Sequence, residues 1–183
     1  MDPRIARTRR SLQHALFELL RARELEAVTI ADIVEHAGVN RSSFYQHYAD
    51  KETLLADAID TALDADGALL LPLMDLLETD AIAAIVTYLA HFEDNIDVYA
   101  RVFGEHGSPV AVARLHERVH EIAREGIQSS QTHAFDGMPV DVAAAGIAGS
   151  VVAVLGAWIA LEPRPSVETA AEWIWRDPGH RHA

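Results

Sequence analysis

Two short amphipathic patterns hinged at a glycine, across residues 28–51, constrain this chain more than any other feature. A hinge so tight leaves the two segments little freedom except to cross as a helical pair. Thr29 opens the first: its hydroxyl is suited to accept a backbone N–H, and Asp32 three positions on completes the reciprocal capping pattern. Ile30, Ile33, Val34 and Ala37 follow at helical spacing and form one apolar face. Gly38 stands where the chain must turn, in a left-handed conformation that glycine adopts without a Cβ penalty. Asn40 is placed to cap the second helix, in which Phe44 and Tyr48 are four apart and pack inward. Arg41, Ser42, Ser43, Tyr45, Gln46 and His47 then point outward, and each can hydrogen-bond.

That outward set is what a helix needs in a DNA major groove. An arginine near the N-terminus can grip guanine O6 and N7, and short hydroxyls reach base edges or phosphates. Tyr45 and His47 suit the flanking sugar-phosphate. Asp50 is placed to cap a further helix, and Lys51 falls in its first turn, where the free N–H groups already favour a phosphate. A lysine there is poor dipole chemistry unless an anion is present.

From about Arg7 to Leu55 the chain carries Ala15-Leu-Phe17, Thr29-Ile-Ala-Asp-Ile33, Ala37-Gly-Val39, Phe44-Tyr45, His47-Tyr48 and Lys51-Glu-Thr-Leu-Leu55. In this register it resembles the N-terminal DNA-binding domain of TetR-family transcriptional regulators. The resemblance implies that Arg41, Ser42 and Ser43 approach bases or adjacent phosphates, while Thr29, Tyr45, His47 and Lys51 hold the backbone. Ala31 departs from members with a polar base-contacting residue at that point, which shifts readout toward Arg41 and Gln46.

At 183 residues, half of them hydrophobic, the chain suits a small head followed by a larger helical body. The absence of cysteine removes disulfides, thiolate metal sites and cysteine nucleophiles. The charged start, Met1-Asp-Pro-Arg-Ile-Ala-Arg-Thr-Arg-Arg10, is no secretory signal, so a cytoplasmic setting is expected. A net charge of −13 is hostile to nucleic acid as a whole, yet residues 1–51 hold eight basic and seven acidic side chains, leaving −14 for the remainder. Arg4, Arg7, Arg9 and Arg10 cluster where they can flank a groove and neutralise phosphate.

Beyond Lys51, Leu54, Leu55, Ala58, Ile59, Ala62 and Leu63 continue one amphipathic helix to near Gly67. Further helices are expected over 80–95, 97–103 and from Pro109 to about 127, the last after a Gly104-Glu-His-Gly-Ser-Pro109 turn. That turn lacks the preceding strand and following lysine-serine pair of a phosphate loop. Val140 to Leu161 reads as a helix that holds no charge across 142–161, long enough for a membrane span but rich in alanine, glycine and serine. Gly146, Gly149, Ala153 and Gly156 permit close helix approach. Pro163-Arg-Pro165 interrupts the chain, and Ser166 can cap a last helix bearing Trp173 and Trp175. These two helices resemble the pair that forms a four-helix dimer interface in TetR-like regulators.

Two constellations compete for the body's chemistry. His116 and His120, with Glu117 and Glu121 interleaved, lie on one helix face as metal-binding pairs do, so the alternative function is a metal-dependent helical enzyme built on them. Tyr88, Phe92, Tyr99, Phe103 and Trp158, with Met74 as an adaptable wall, are candidates to line a ligand pocket.

The sequence therefore predicts an all-α chain with two domains. Residues 1–50 form a three-helix DNA-binding domain with a helix-turn-helix, and residues 51–183 form a helical effector-binding and dimerisation domain. The expected function is that of a homodimeric DNA-binding transcriptional regulator, a repressor released from a palindromic double-stranded operator by a small-molecule effector. No catalytic residue, cofactor or membrane partner is expected, and His116 and His120 remain weak candidates for a metal.

Overall fold

A computed structural model describes residues 3–65, 81–129 and 135–176. Every regular element among them is helical: α1 (Pro3–Leu20), a 3-10 turn (Leu25–Ala27), α2 (Ile30–Ala37), α3 (Arg41–Tyr45), α4 (Lys51–Ala65), α5 (Ala81–Asp94), α6 (Ile96–Phe103), α7 (Pro109–Ser129), α8 (Val140–Ile159) and α9 (Val167–Arg176). The all-α expectation holds. The helices group into two compact units, residues 1–62 with 97–113, and residues 63–96 with 114–183. Helix α6 and the start of α7 thus pack with the head, a grouping that the sequence division after residue 50 does not contain.

In the first unit the apolar positions of α1 recur at Leu12, Ala15, Leu16 and Leu20, each at most 1% exposed. They form the stripe that packs α1 on α2. Leu25, Val28, Ile33, Phe44, Leu54, Leu55, Val98 and Tyr99 are buried in the same unit. Burying a side chain of the size of Phe44 stabilises the fold by about 2–3 kcal/mol, which is what pins the short α3. In the second unit α9 packs against α5 and α8. Ile85, Tyr88, Leu89 and Phe92 of α5 and Val167, Ala170, Ala171 and Ile174 of α9 are the buried faces.

Helix α8 is long and apolar enough to cross a membrane, and a good part of it is buried in the protein. Ala144, Ala148, Val151, Leu155, Trp158 and Ile159 form that buried side, and the Trp158 indole donates to the Pro165 carbonyl at 2.8 Å. A core helix explains its composition. It ends at Ile159, two residues earlier than its apolar run, where Ala160 takes over as the C-cap.

Candidate nucleic-acid interface

The start of α2 is fixed by a capping box. Thr29 Oγ1 accepts from the Asp32 N–H at 3.2 Å, and the Asp32 carboxylate accepts from the Thr29 N–H at 2.8 Å. These bonds, the Thr29 backbone N–H foremost, with Arg23 alongside, hold the Asp32 carboxyl at a pKa of about 2. Gly38 ends the helix at φ 65°, left-handed as the corner requires. Asn40 then caps α3 by accepting from the Ser43 N–H at 2.8 Å.

Helix α3 is shorter than expected. It closes at Tyr45, so Gln46 and His47 lie in the turn that follows, with the His47 and Tyr48 N–H groups both returning to the Phe44 carbonyl at 2.9 and 3.0 Å. Tyr48 draws the turn inward. Its hydroxyl donates to Asp57 at 2.5 Å, and Asp57 also accepts from Arg9 at 2.5 Å and Gln13 at 2.6 Å. Gln13 further donates to Thr61 at 2.9 Å, so one carboxylate ties α1 and α4 to the end of α3. Burial alone would raise the Asp57 carboxyl, but Arg9, Tyr48 and Gln13 outweigh it and hold the pKa below the ordinary value. Burial and the same carboxylate push the Tyr48 hydroxyl up to about 12.

With Phe44 and Tyr48 buried, the outer face of α3 is polar as predicted. Arg41, Ser42, Tyr45 and Gln46 are exposed, while Ser43 and His47 are half-buried. The Arg41 guanidinium lies 5.7 Å from the Tyr45 ring centroid and donates to its hydroxyl at 3.3 Å. Ser42 and Ser43 hydroxyls both donate to the Asn40 side chain, at 2.6 and 3.0 Å. These contacts are local and solvent-facing, easily exchanged for a base or phosphate.

Two basic residues stand differently from the sequence expectation. Arg9 does not join a free cationic cluster, because it is spent on Asp57, whereas Arg7 and Arg10 are exposed. The Lys51 ammonium donates to the carbonyls of Leu25 at 2.6 Å, Val28 at 2.9 Å and Glu26 at 3.3 Å. Those oxygens supply the negative charge that a lysine at a helix N-terminus needs. Lys51→Met should therefore lower the thermal midpoint without any DNA present, through about 1–3 kcal/mol of lost charge-assisted bonding. An unchanged midpoint in a melting scan would show that these bonds do not hold the 25–28 loop.

The remaining candidates fall in several places. Tyr88, Phe92 and Trp158 are buried in the second unit, with the Tyr88 and Phe92 rings 4.9 Å apart. Among the described residues the Tyr88 hydroxyl has no hydrogen-bond partner, and burial raises its pKa. Tyr99 and Phe103 belong to the first unit, and Met74 lies outside the described residues. His120 Nε2 meets the Asp141 carbonyl at 3.2 Å, and His116 Nε2 lies 3.9 Å from where a Cβ on Gly149 would be. Both imidazoles thus turn toward α8. Among the described residues no third histidine or carboxylate joins them as a metal set. Gly149 accommodates a histidine of its own chain, whereas Gly146 faces open space, Ala153 is exposed and Gly156 half-buried. Trp173 is 40% exposed on α9, the helix that also carries Trp175.

A capped helix, a left-handed glycine corner and a short second helix with a polar outer face define a helix-turn-helix protein. Residues 13–58 match the family described as bacterial regulatory proteins, tetR family. This N-terminal domain belongs to the TetR family. An HTH-type transcriptional regulator of Bacillus subtilis (strain 168), YxbF, is 42% identical over 60 residues, which is 32% of this chain and 16% of that protein's length. A TetR transcriptional regulator from Streptococcus agalactiae 2603V has the same fold over 94% of both chains, with 23% identity and a TM-score of 0.63. NalD of Pseudomonas aeruginosa, the secondary repressor of the MexAB-OprM multidrug efflux pump, is similar over 97% of this chain and 96% of its own, with 17% identity and a TM-score of 0.62.

Proposed function

We propose that the chain is a homodimeric DNA-binding transcriptional regulator, a repressor that leaves a palindromic operator when a small-molecule effector binds, and that it acts in the cytoplasm. The observation that carries this reading is the polar outer face of α3, held by buried Phe44 and Tyr48. Arg41, Ser42, Ser43 and Gln46 approach base edges. Thr29, Tyr45 and His47 meet the sugar-phosphate, and Lys51 adds its charge while shaping the loop before α2. The repressor sense is supported by the likeness to NalD, and the effector by the buried aromatic side chains Tyr88, Phe92 and Trp158, of which the Tyr88 hydroxyl has no partner among the described residues. A ligand that binds better to a dimer with wrongly spaced heads weakens DNA binding by that difference in affinity and no more.

The dimer face is the uncharged outer side of α8. Val142 is 56% exposed, and Ala145, Gly146, Ala153 and Ala157 are exposed at helical spacing beside it. With Trp173, they give a second copy a surface that helices can approach closely.

Selection of duplexes from a random pool tests the reading directly. Arg41→Ala should then cost about 1–3 kcal/mol on the selected duplex and far less on random DNA, measured by fluorescence anisotropy. Equal losses on both would reduce Arg41 to a phosphate contact.

A further inference from the structure

The Gly104–Pro109 turn, which no part of the DNA-reading surface uses, is built to hold that surface in place. Its path is tight: the Gly107 N–H donates to the Gly104 carbonyl at 3.0 Å and the Ser108 N–H to the Val102 carbonyl at 3.1 Å. A Cβ on Gly107 would lie 2.1 Å from the Val102 oxygen, so only glycine fits. The turn delivers Ser108 to a buried position, 1% exposed. There its hydroxyl accepts from the Ala111 N–H at 3.1 Å, capping α7, and donates to the Glu52 carboxylate in the first turn of α4.

Glu52 adjoins Lys51, whose ammonium gathers the carbonyls of Leu25, Glu26 and Val28 just ahead of the Thr29 cap. The other end of the same loop is met from α6, where Arg101 Nε forms an ion pair with the exposed Glu24 carboxylate at 3.4 Å without hydrogen-bond alignment. The α6–α7 corner thus touches the base of the helix-turn-helix at two points, and α7 continues past Ala113 into the second unit.

We propose that Ser108 is a positioning residue for DNA recognition: through its bond to Glu52, the start of α7 fixes the first turn of α4 and hence the 24–28 loop from which α2 and α3 are hung. This rests on the DNA-binding reading. It gives events in the second unit a route to the head through α7, beside α4, which also runs from one unit into the other.

The test uses the full chain and duplexes that the wild type recovers from a random pool. Glu52→Ala removes the link and leaves the α7 cap. Ser108→Asp keeps a capping oxygen for Ala111 but sets two carboxylates against each other. Glu52→Gln preserves an acceptor for the hydroxyl. The first two should weaken binding about tenfold and speed hydrogen exchange of the backbone N–H groups over 25–30, and Glu52→Gln should restore most of both. Wild-type affinity and exchange in Glu52→Ala would overturn the proposal. So would a Glu52→Gln variant as impaired as Glu52→Ala, since the charge and not the bond would then matter. If the wild type recovered no duplex, the DNA-binding reading would fail, while the exchange of residues 25–30 would still decide whether the serine holds the loop.

Discussion

Asp57→Ala should destabilise the chain by about 2–3 kcal/mol and lower its thermal midpoint by roughly 5–10 °C, with operator binding lost in proportion to the unfolded head. The carboxylate accepts from Arg9, Gln13 and Tyr48; its removal takes the acceptor from the Tyr48 hydroxyl and one bond each from Arg9, which still reaches that hydroxyl, and Gln13, which still reaches Thr61. Partial exposure, 25% for Asp57 and 34% for Arg9, lets water compensate for some of that loss and keeps the figure below that of a dry pair. The same cluster sets a pH window. The Asp57 carboxyl is depressed in the fold, so its contribution is complete above the unfolded value of about 3.9 and disappears as pH falls through the folded one. Tyr48 is raised to about 12, so its contribution is complete below about 10 and disappears as pH rises through the folded value. The wild type should show both slopes in denaturant titrations, and Asp57→Ala should remove the Asp57 share of the acid one and shrink the alkaline one. A variant with the wild-type midpoint and wild-type slopes would show that apolar packing alone holds α3.

The head was legible because its signals are local. Thr29 with Asp32, Gly38, Asn40 and Asp50 each act within three or four residues, and each does in the structure what its position predicted. The charged residues were harder, since a side chain's partner is set by the fold. Arg9 reads as one of four equivalent arginines until helix α4 brings Asp57 to it from 48 positions away. Lys51 reads as a phosphate contact from its position alone, and the 3-10 turn, which carries no periodic signal, adds three carbonyls to its partners.

In the body, periodicity identified buried faces without saying what they face. Tyr88, Phe92, Tyr99 and Trp158 are all buried, yet Tyr99 packs with the head and the others in the second unit. The glycine stripe of α8 divides in a similar way. Gly149 turns toward His116 of its own chain and Gly146 toward open space, a distinction that small-residue spacing cannot make. The Gly104–Pro109 turn gave no signal of its role, because Ser108 meets its partner across 56 positions.

Ala153→Arg should turn the proposed dimer into a monomer and reduce affinity for the selected duplex on the order of a hundredfold or more, because two linked heads bind one palindrome far more tightly than either alone. Ala153 is exposed in the single chain, so arginine there meets water and the fold of each protomer should survive. Between two copies the same side chain would place excess volume and an unpaired charge where α8 helices meet. The two effects separate cleanly: circular dichroism should match the wild type while light scattering reports half the mass. The proposed dimer would also fix the operator, since heads related by a two-fold axis must enter major grooves about 34–36 Å apart or at whole-turn extensions of that spacing. About five base pairs inserted at the centre of the selected duplex turn one half-site to the opposite face and should cost as much affinity as Ala153→Arg does, whereas about ten should cost less. A variant that stays dimeric would move the interface off α8. A wild-type protein indifferent to the five-pair insertion would separate dimerisation from DNA recognition and leave the helix-turn-helix to act one head at a time.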